Sequence, residues 1–399
     1  MKMRVSAVQF HLRDCESFAD WAEQATHYVR NASEYGSEFV LFPEFMTTPL
    51  LAIGDVDGKG QSIDKLADYT ESYIALFSEL AQSYGVYIIA GTHVRRAGDR
   101  LRNSAFLFAP DGSYKTQDKL HITPTEKEAW NVEAGEGVEV FDTPFGTIGL
   151  LTCYDIEFPE IVRMVRAKGA DVIFCPSCTD DRHGFYRVRY CCHARAVENQ
   201  VYIVTTGTVG SLRKVDFMRA NYGQAAVITP NDIPFPPRGI LCEGDINADM
   251  LITADLDLSL LEDVRKAAVA AHVDEFAQRL RDGYDTRLET HGATLSVGQR
   301  QLLSFARALL ADPRILVLDE ATASIDTETE LRIQEALGTL LQGRTSFIVA
   351  HRLSTIRHAD CIVVLDHGEI MEMGNHEELM KRPGHYRNLV EAQYRFLSA

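Results

Sequence analysis

From residue 4 to about 257, short apolar runs alternate with longer amphipathic stretches. This rhythm restricts the chain to an α/β architecture, in which strands form sheets and helices cover them. VSAVQF precedes a helical stretch over 18 to 35, FVLFPEF precedes one over 64 to 84, and VYIIAGTHV leads into SAFLFAPDG, whose Asp111 and Gly112 predict a hairpin turn. GTIGLLTCYD, a helix over 158 to 168, DVIFCPS, a helix over 184 to 199 and VYIVTTGTVG continue the pattern. MLITADLDL closes it before a helix from Ser259 to about Lys266. These strands outnumber what one simple doubly wound sheet requires. Two sheets packed face to face with helices outside accommodate them.

The chain has 399 residues, 46% of them hydrophobic, so it can bury a full core and is long enough for about two or three domains. Its formal net charge of -17 argues against nucleic acid or anionic lipid as a partner, because neutralising phosphates requires clustered Lys and Arg. No window approaches the ~20 uncharged residues needed to insert into a bilayer, and MKMRVSAVQF lacks a signal-peptide apolar stretch, so a cytoplasmic location is expected. In that reducing compartment the 8 cysteines remain thiols. Cys175 and Cys178, with His183, Cys191, Cys192 and His193 nearby in sequence, offer soft metal ligands. Only one true C-x-x-C is present, however, and VIFCPSC reads as a buried strand entering a turn at Pro176, so no metal is expected.

Three segments carry the chemistry: LFPEF at 41 to 45, QDKLHITPTE at 117 to 126 and LLTCYDIEFPE at 150 to 160. Glu44, Lys119 and Cys153 each follow an apolar run, where strand ends present side chains to a pocket. A thiol nucleophile needs a base and an oxyanion donor. Taken singly, the Glu is a cap, the Lys a solvated charge and the Cys buried filler. Together, FPE, DKLH and CYDIEFPE in this order resemble the nitrilase superfamily of carbon-nitrogen hydrolases, over roughly residues 1 to 266. The resemblance implies a four-layer α-β-β-α sandwich, a site that needs no cofactor and assembly into a homo-oligomer. It also implies roles: Cys153 attacks an amide, carbamoyl or nitrile carbon, Glu44 takes the thiol proton and later activates water, and Lys119 stabilises the oxyanion together with the peptide N–H of Tyr154. For a second glutamate, TPTEKEAW offers Glu126 and Glu128. Glu126, four residues before Trp130, fits the family pattern better. Tyr-Asp after the cysteine resembles the amidase and carbamoylase branches, so a small amide or N-carbamoyl substrate is expected. Arg187, Arg189 and Arg195 are candidates to grip a substrate carboxylate.

From about residue 270 the vocabulary changes. LSVGQ at 295 to 299, ILVLDEATASID and AHRLST resemble the C-terminal half of an exporter-type ABC transporter ATP-binding domain. The resemblance assigns Ser296, Gly298 and Gln299 to a signature loop with Val297 in place of a glycine, Asp319 and Glu320 to a Walker B strand, Asp326 to a D-loop and His351 to a switch histidine. No G-x-x-x-x-G-K-[ST] occurs anywhere, so no phosphate cradle exists and neither ATP nor magnesium is expected to bind. Action in trans, with an ABC partner supplying the missing phosphate loop, is the alternative role for this part. It would make the chain a transport-associated ATP-binding or regulatory protein. No polar linker separates the two vocabularies; VRKAAVAAHVDEFAQRL reads as one helical stretch across the seam, which is placed at 266 to 271, giving domains 1 to 266 and 267 to 399. Beyond it the pattern predicts a helix over 300 to 311, strand ILVLD, a helix over 327 to 342, strands SFIVA and CIVVLD, and a terminal helix from 376. This is a βα fragment of a P-loop fold that exposes strands normally flanked on both sides.

Overall fold

The computed structural model describes residues 2–54, 60–280, 295–319, 327–349 and 356–397. The chain separates into two compact units, Met1–Asp263 and Val264–Ala399.

The first unit contains strands β1 (Lys2–Gln9), β2 (His11–Leu12), β3 (Phe39–Leu41), β4 (Tyr87–Ala97), β5 (Arg100–Phe108), β6 (Tyr114–Asp118), β7 (Val140–Thr143), β8 (Gly146–Leu150), β9 (Val172–Ser177), β10 (Tyr202–Gly207), β11 (Val209–Gly210), β12 (Ala226–Ile228), β13 (Ile240–Glu243) and β14 (Met250–Asp257). They build two six-stranded mixed sheets, ordered β14-β1-β3-β4-β5-β6 and β13-β12-β10-β9-β8-β7. The sheets face each other, with Phe39 of the first stacked on Phe174 of the second at 5.5 Å. Helices α1 (Phe18–Glu34) and α2 (Thr70–Tyr84) cover the first sheet through a core that includes Trp21, Tyr73 and Phe77. A short helix α3 (Pro124–Glu128) follows β6, and α4 (Pro159–Ala167) and α5 (Arg182–Asn199) cover the second sheet through Ile161, Val165, Val188 and Cys192. The result is the expected α-β-β-α sandwich.

Local chemistry sets several boundaries. Ser17 and Asp20 form a reciprocal capping box that starts α1, and Gly85, at φ 65°, ends α2 in the left-handed conformation. The hairpin between β5 and β6 turns at Asp111 and Gly112, where Asp111 Oδ1 accepts from Ser113 N at 2.9 Å. Two expectations need correction. The stretch 64 to 84 is not one helix: Ile63–Tyr69 is 3₁₀, and only Thr70–Tyr84 is α-helical. Pro176 does not begin a turn; β9 runs through it to Ser177, with Pro176 opposite Thr206 of β10.

Helix α6 (Ser259–Ala270) spans the dividing point between the units. The helical stretch predicted across the seam breaks at His272, at φ 56°, before α7 (Val273–Ala277). In the second unit, α8 (Val297–Ala311) and α9 (Thr327–Leu341) pack on one face of a parallel pair, β15 (Ile315–Asp319) and β16 (Thr345–Val349). An antiparallel pair, β17 (Ile362–Asp366) and β18 (Glu369–Gly374), precedes α10 (His376–Met380) and α11 (His385–Leu397). The strand β18 was not anticipated, and the predicted terminal helix is two helices. On the second face of β15–β16, Ile315, Val317, Phe347 and Val349 are 53–70% exposed. Among the described residues no helix is long and apolar enough to cross a membrane.

Candidate active site

Glu44 leaves the end of β3, which lies between two parallel neighbours, β1 and β4. Phe42 N donates to Ile89 O at 2.8 Å, extending the ladder by one residue before the chain turns. That turn requires Gly91. It sits at φ 66° in an irregularity of β4, and a Cβ there would lie 2.0 Å from Pro43 O. Beyond Glu44 the backbone is strained: Phe45 adopts φ 56°, a left-handed conformation costly for a bulky side chain. It is held there by Phe45 N to Thr92 Oγ1 at 3.3 Å and by Trp21 Nε1 to Met46 O at 2.9 Å.

Lys119 directly follows β6, its N bonded to Asn103 O and its O accepting from Gly135 N. Its ammonium is 1% exposed and bridges two buried carboxylates, at 2.8 Å to Glu44 Oε1 and 2.7 Å to Glu126 Oε2. Glu126 is held by its place in α3, where it forms a capping box with Thr123. Its Oε2 accepts from Thr123 N at 3.0 Å and Thr123 Oγ1 at 2.9 Å. Glu128, one turn-half away, points to solvent. The structure therefore brings Glu126, the preferred second glutamate, into the cluster and leaves Glu128 out.

Cys153 opens a 3₁₀ turn (Cys153–Glu157) after β8, is buried, and adopts φ 47°, a strained left-handed conformation. Its Sγ lies 3.7 Å from Cys178 O. Tyr154 follows it in the same turn. Asp155 ties this elbow to the lysine loop: its Oδ2 accepts from Thr152 N at 3.2 Å, and its Oδ1 accepts from Leu120 N at 3.1 Å and His121 N at 2.7 Å. A single buried carboxylate thus fixes the loop after Lys119 against the turn that begins at Cys153.

The electrostatics follow from burial. The Glu44 carboxyl is pushed above its ordinary value by burial, with Lys119 drawing it back, Glu126 adding to the rise, and a hydrogen bond with Cys153 lowering it. For Lys119, burial opposes the charge, but Glu44 and Glu126 outweigh it and hold the ammonium well above its usual range. For Glu126, burial works upward, yet Lys119 and the hydrogen bonds from Asn103 and Thr123 bring the net shift below the ordinary carboxylate value. Burial, then the Glu44 charge, pushes the Cys153 thiol well above 9.0. Burial thus disfavours the charged forms of Cys153 and Glu44, while mutual contact favours the charged forms of Lys119 and Glu126.

Sequence reasoning missed Asn103 and Asp155. Asn103, on β5, donates from Nδ2 to Glu44 Oε1 at 3.0 Å and to Glu126 Oε1 at 2.8 Å. It sits inside LRNSAFLF as an unremarkable strand residue, and only the pairing of β5 with β6 brings it to Lys119. Asp155 had a signal, its place two residues after Cys153.

The arginines of α5 do other work than expected. Arg195 donates to Ile156 O, Glu157 O and Glu198, which ties it to the turn after Cys153, whereas Arg189 pairs through Nη2 at 2.7 Å with Glu243 and its buried Nη1 has no hydrogen-bond partner. Arg187, mostly exposed, pairs with Glu157 at 2.8 Å. Cys175 is buried beside Ser177, and Cys178 beside Thr208 and Asn221. Among the described residues no group of three or more His, Cys, Asp or Glu side chains is disposed to hold a metal ion. In the second unit, Ser296 caps α8 by accepting from Gln299 N at 3.2 Å, Gly298 is buried in the first turn, and Asp319 ends β15. Glu320, Asp326 and His351 lie outside the described residues.

Residues 4–266 match the carbon-nitrogen hydrolase family, and residues 212–323 match the ABC transporter family. The two spans overlap; within the overlap the structure places β12, β13 and β14 of the sandwich. The "Probable hydrolase YhcX" of Bacillus subtilis (strain 168) is 42% identical over 282 residues, 71% of this chain and 54% of that protein. The "Uncharacterized ABC transporter ATP-binding protein YknV" of the same organism is 62% identical over 133 residues, 33% of this chain and 22% of that protein. The chain thus spans about half the length of the first relative and about a fifth of the second. Among solved structures, Saccharomyces cerevisiae Nit3, a member of branch 10 of the nitrilase superfamily, aligns with a TM-score of 0.55 at 24% identity, covering 67% of this chain and 94% of that one. An amidase from Nesterenkonia sp. aligns with a TM-score of 0.54 at 21% identity, covering 65% and 93%. At these identities the likeness is one of fold.

Proposed function

The chain belongs to the carbon-nitrogen hydrolase family through residues 4–266, and from that premise we propose that it hydrolyses the non-peptide C–N bond of a small amide or N-carbamoyl compound through an acyl-enzyme on Cys153. The observation that carries this reading is the buried bridge of Lys119 between Glu44 and Glu126, tied through Asp155 to the Cys153 elbow.

In this reading Glu44 takes the thiol proton as sulfur bonds to the carbonyl carbon. Burial raises its pKa and so makes it a stronger base than an ordinary carboxylate, better suited to take a thiol proton. The carbonyl oxygen becomes an oxyanion facing the Lys119 ammonium and the Tyr154 N–H, and low local dielectric strengthens both contacts. When the tetrahedral intermediate collapses, the C–N bond breaks and the nitrogen leaves with the proton returned from Glu44. Water then attacks the thioester, Glu44 takes its proton, and the acid is released with the thiol restored. Glu126, held ionised, keeps Lys119 charged and in place throughout.

The second unit resembles only part of an ABC ATP-binding domain and has no phosphate loop, so it contributes no ATPase of its own. The decisive assay is ammonia release from a panel of amides, N-carbamoyl compounds and nitriles, comparing the intact chain with Cys153→Ala. Turnover that disappears in the variant supports the thiol mechanism and narrows the substrate class; turnover that survives it defeats the reading. For the second unit, micromolar binding of labelled ATP in equilibrium dialysis would overturn the inert assignment.

A further inference from the structure

Asn103 makes the same bridge as Lys119 but carries no charge. Its single Nδ2 group donates to Glu44 Oε1 at 3.0 Å and to Glu126 Oε1 at 2.8 Å, so both amide protons are spent on the two carboxylates. The side chain is fully buried, and its two acceptors settle which end of the amide is nitrogen. Asn103 Oδ1 has no protein partner, so the side chain is not retained for a balanced network of its own. Its backbone O meanwhile accepts from Lys119 N, which fixes β5 and the lysine together.

The oxygen that Asn103 chooses on Glu44 matters. Lys119 Nζ, at 2.8 Å, and Asn103 Nδ2 both bind Oε1. With two strong donors on one oxygen, Oε2 is the oxygen left to receive a proton from Cys153. On Glu126 the donors are divided, Asn103 on Oε1 and Lys119 with Thr123 on Oε2, so neither oxygen is left over.

We propose that Asn103 is a positioning residue for the reaction: it orients the Glu44 carboxylate so that one defined oxygen is left free of protein donors for the thiol proton, and it ties both carboxylates together around a single lysine. This rests on the roles proposed for Glu44 and Cys153. Neither function requires Asn103 to touch substrate. A donor to a carboxylate favours its charged form, so its loss moves the ionisation of Glu44 to higher pH.

The test replaces Asn103 with Leu, which has similar volume and no donor, and with Ser, which is smaller and keeps a hydroxyl. Both variants are measured in the full chain alongside wild type. Two profiles are recorded: kcat and KM against pH for the best substrate of the panel, and the rate of Cys153 alkylation by iodoacetamide against pH, read by mass spectrometry. The expected result for Asn103→Leu is a fall in kcat of about tenfold with KM changed less than about twofold. The acid limb of both profiles moves to higher pH, and Asn103→Ser lies between Leu and wild type. Acid limbs that coincide with wild type in either folded variant overturn the proposal, as does a loss confined to KM. If the wild-type chain turns over none of the panel, the hydrolase reading fails on its own evidence, while the alkylation profile still decides the role of Asn103. Should the Leu variant not fold, the Ser variant decides alone.

Discussion

The two carboxylates that share Lys119 are opposite in character, and substitution separates them. Glu44 has a raised pKa because burial dominates. A raised folded-state value means the proton is held more tightly when folded, so this group's stabilisation exists below its unfolded pKa and is lost as pH rises through the folded one. Glu44→Gln is expected to abolish turnover while costing less stability at pH 7 than loss of the second carboxylate, because burial already opposes the charge of Glu44. Glu126 is the reverse: its depressed pKa means stability present above the unfolded value and lost as pH falls through the folded one. Glu126→Gln is expected to cost roughly 2 kcal/mol at pH 7 by leaving Lys119 undercompensated, with the deficit shrinking toward acid. Calorimetry of both variants at pH 7 and pH 4 checks the pair; equal destabilisation would mean the two sites do not differ as described. Glu44, Lys119 and Cys153 were legible in sequence because each ends an apolar run within a dense motif. Asn103 was not, because its importance comes from strand pairing 16 residues away from Lys119 in sequence, and nothing in LRNSAFLF marks it.

At the scale of elements, the site depends on places where the backbone departs from its sheet. Gly91→Ala would put a methyl group 2.0 Å from Pro43 O and force a β-carbon into φ 66°. We expect a loss of about 2 kcal/mol or more together with displacement of Glu44, seen as a lowered thermal midpoint and a fall in kcat. A variant with wild-type stability and turnover would show that β4 relaxes around the methyl group. The sheets themselves were readable, since period-2 patterning and the Asp111–Gly112 turn survive in the structure. What could not be read is how elements end. Ile63–Tyr69 tightens to 3₁₀ where Thr70 Oγ1 bonds both Ala67 O and His93 Nε2, a tertiary contact absent from any local pattern. The break at His272 likewise accompanies a contact between its Nδ1 and Glu275 Oε1 at 2.8 Å, with no Gly or Pro at the break. Pro176 continues β9 because a buried strand paired with β10 outweighs the turn preference of an isolated Pro-Ser.

For the molecule as a whole, the two units differ in how completely they cover their strands. The sandwich buries the facing sheet surfaces, where Phe39 stacks on Phe174, and separate cores pack the helices on the outer faces. Among the described residues of the second unit, one face of a parallel pair is exposed, although parallel strands are ordinarily covered on both sides. Val317 and Phe347, opposite each other in register, are 70% and 61% exposed. The double substitution Val317→Lys with Phe347→Lys is expected to reduce concentration-dependent association in sedimentation and to leave ammonia release per active site unchanged; undiminished association would place the contact elsewhere. Chaperones and proteases in a living host recognise apolar strand surface of this kind, and they act on the whole chain once any part of it is engaged. The number of working copies would then be governed by the turnover of β15 and β16, and natural selection on the hydrolase would be felt first as pressure to lose or cover its own C-terminal third.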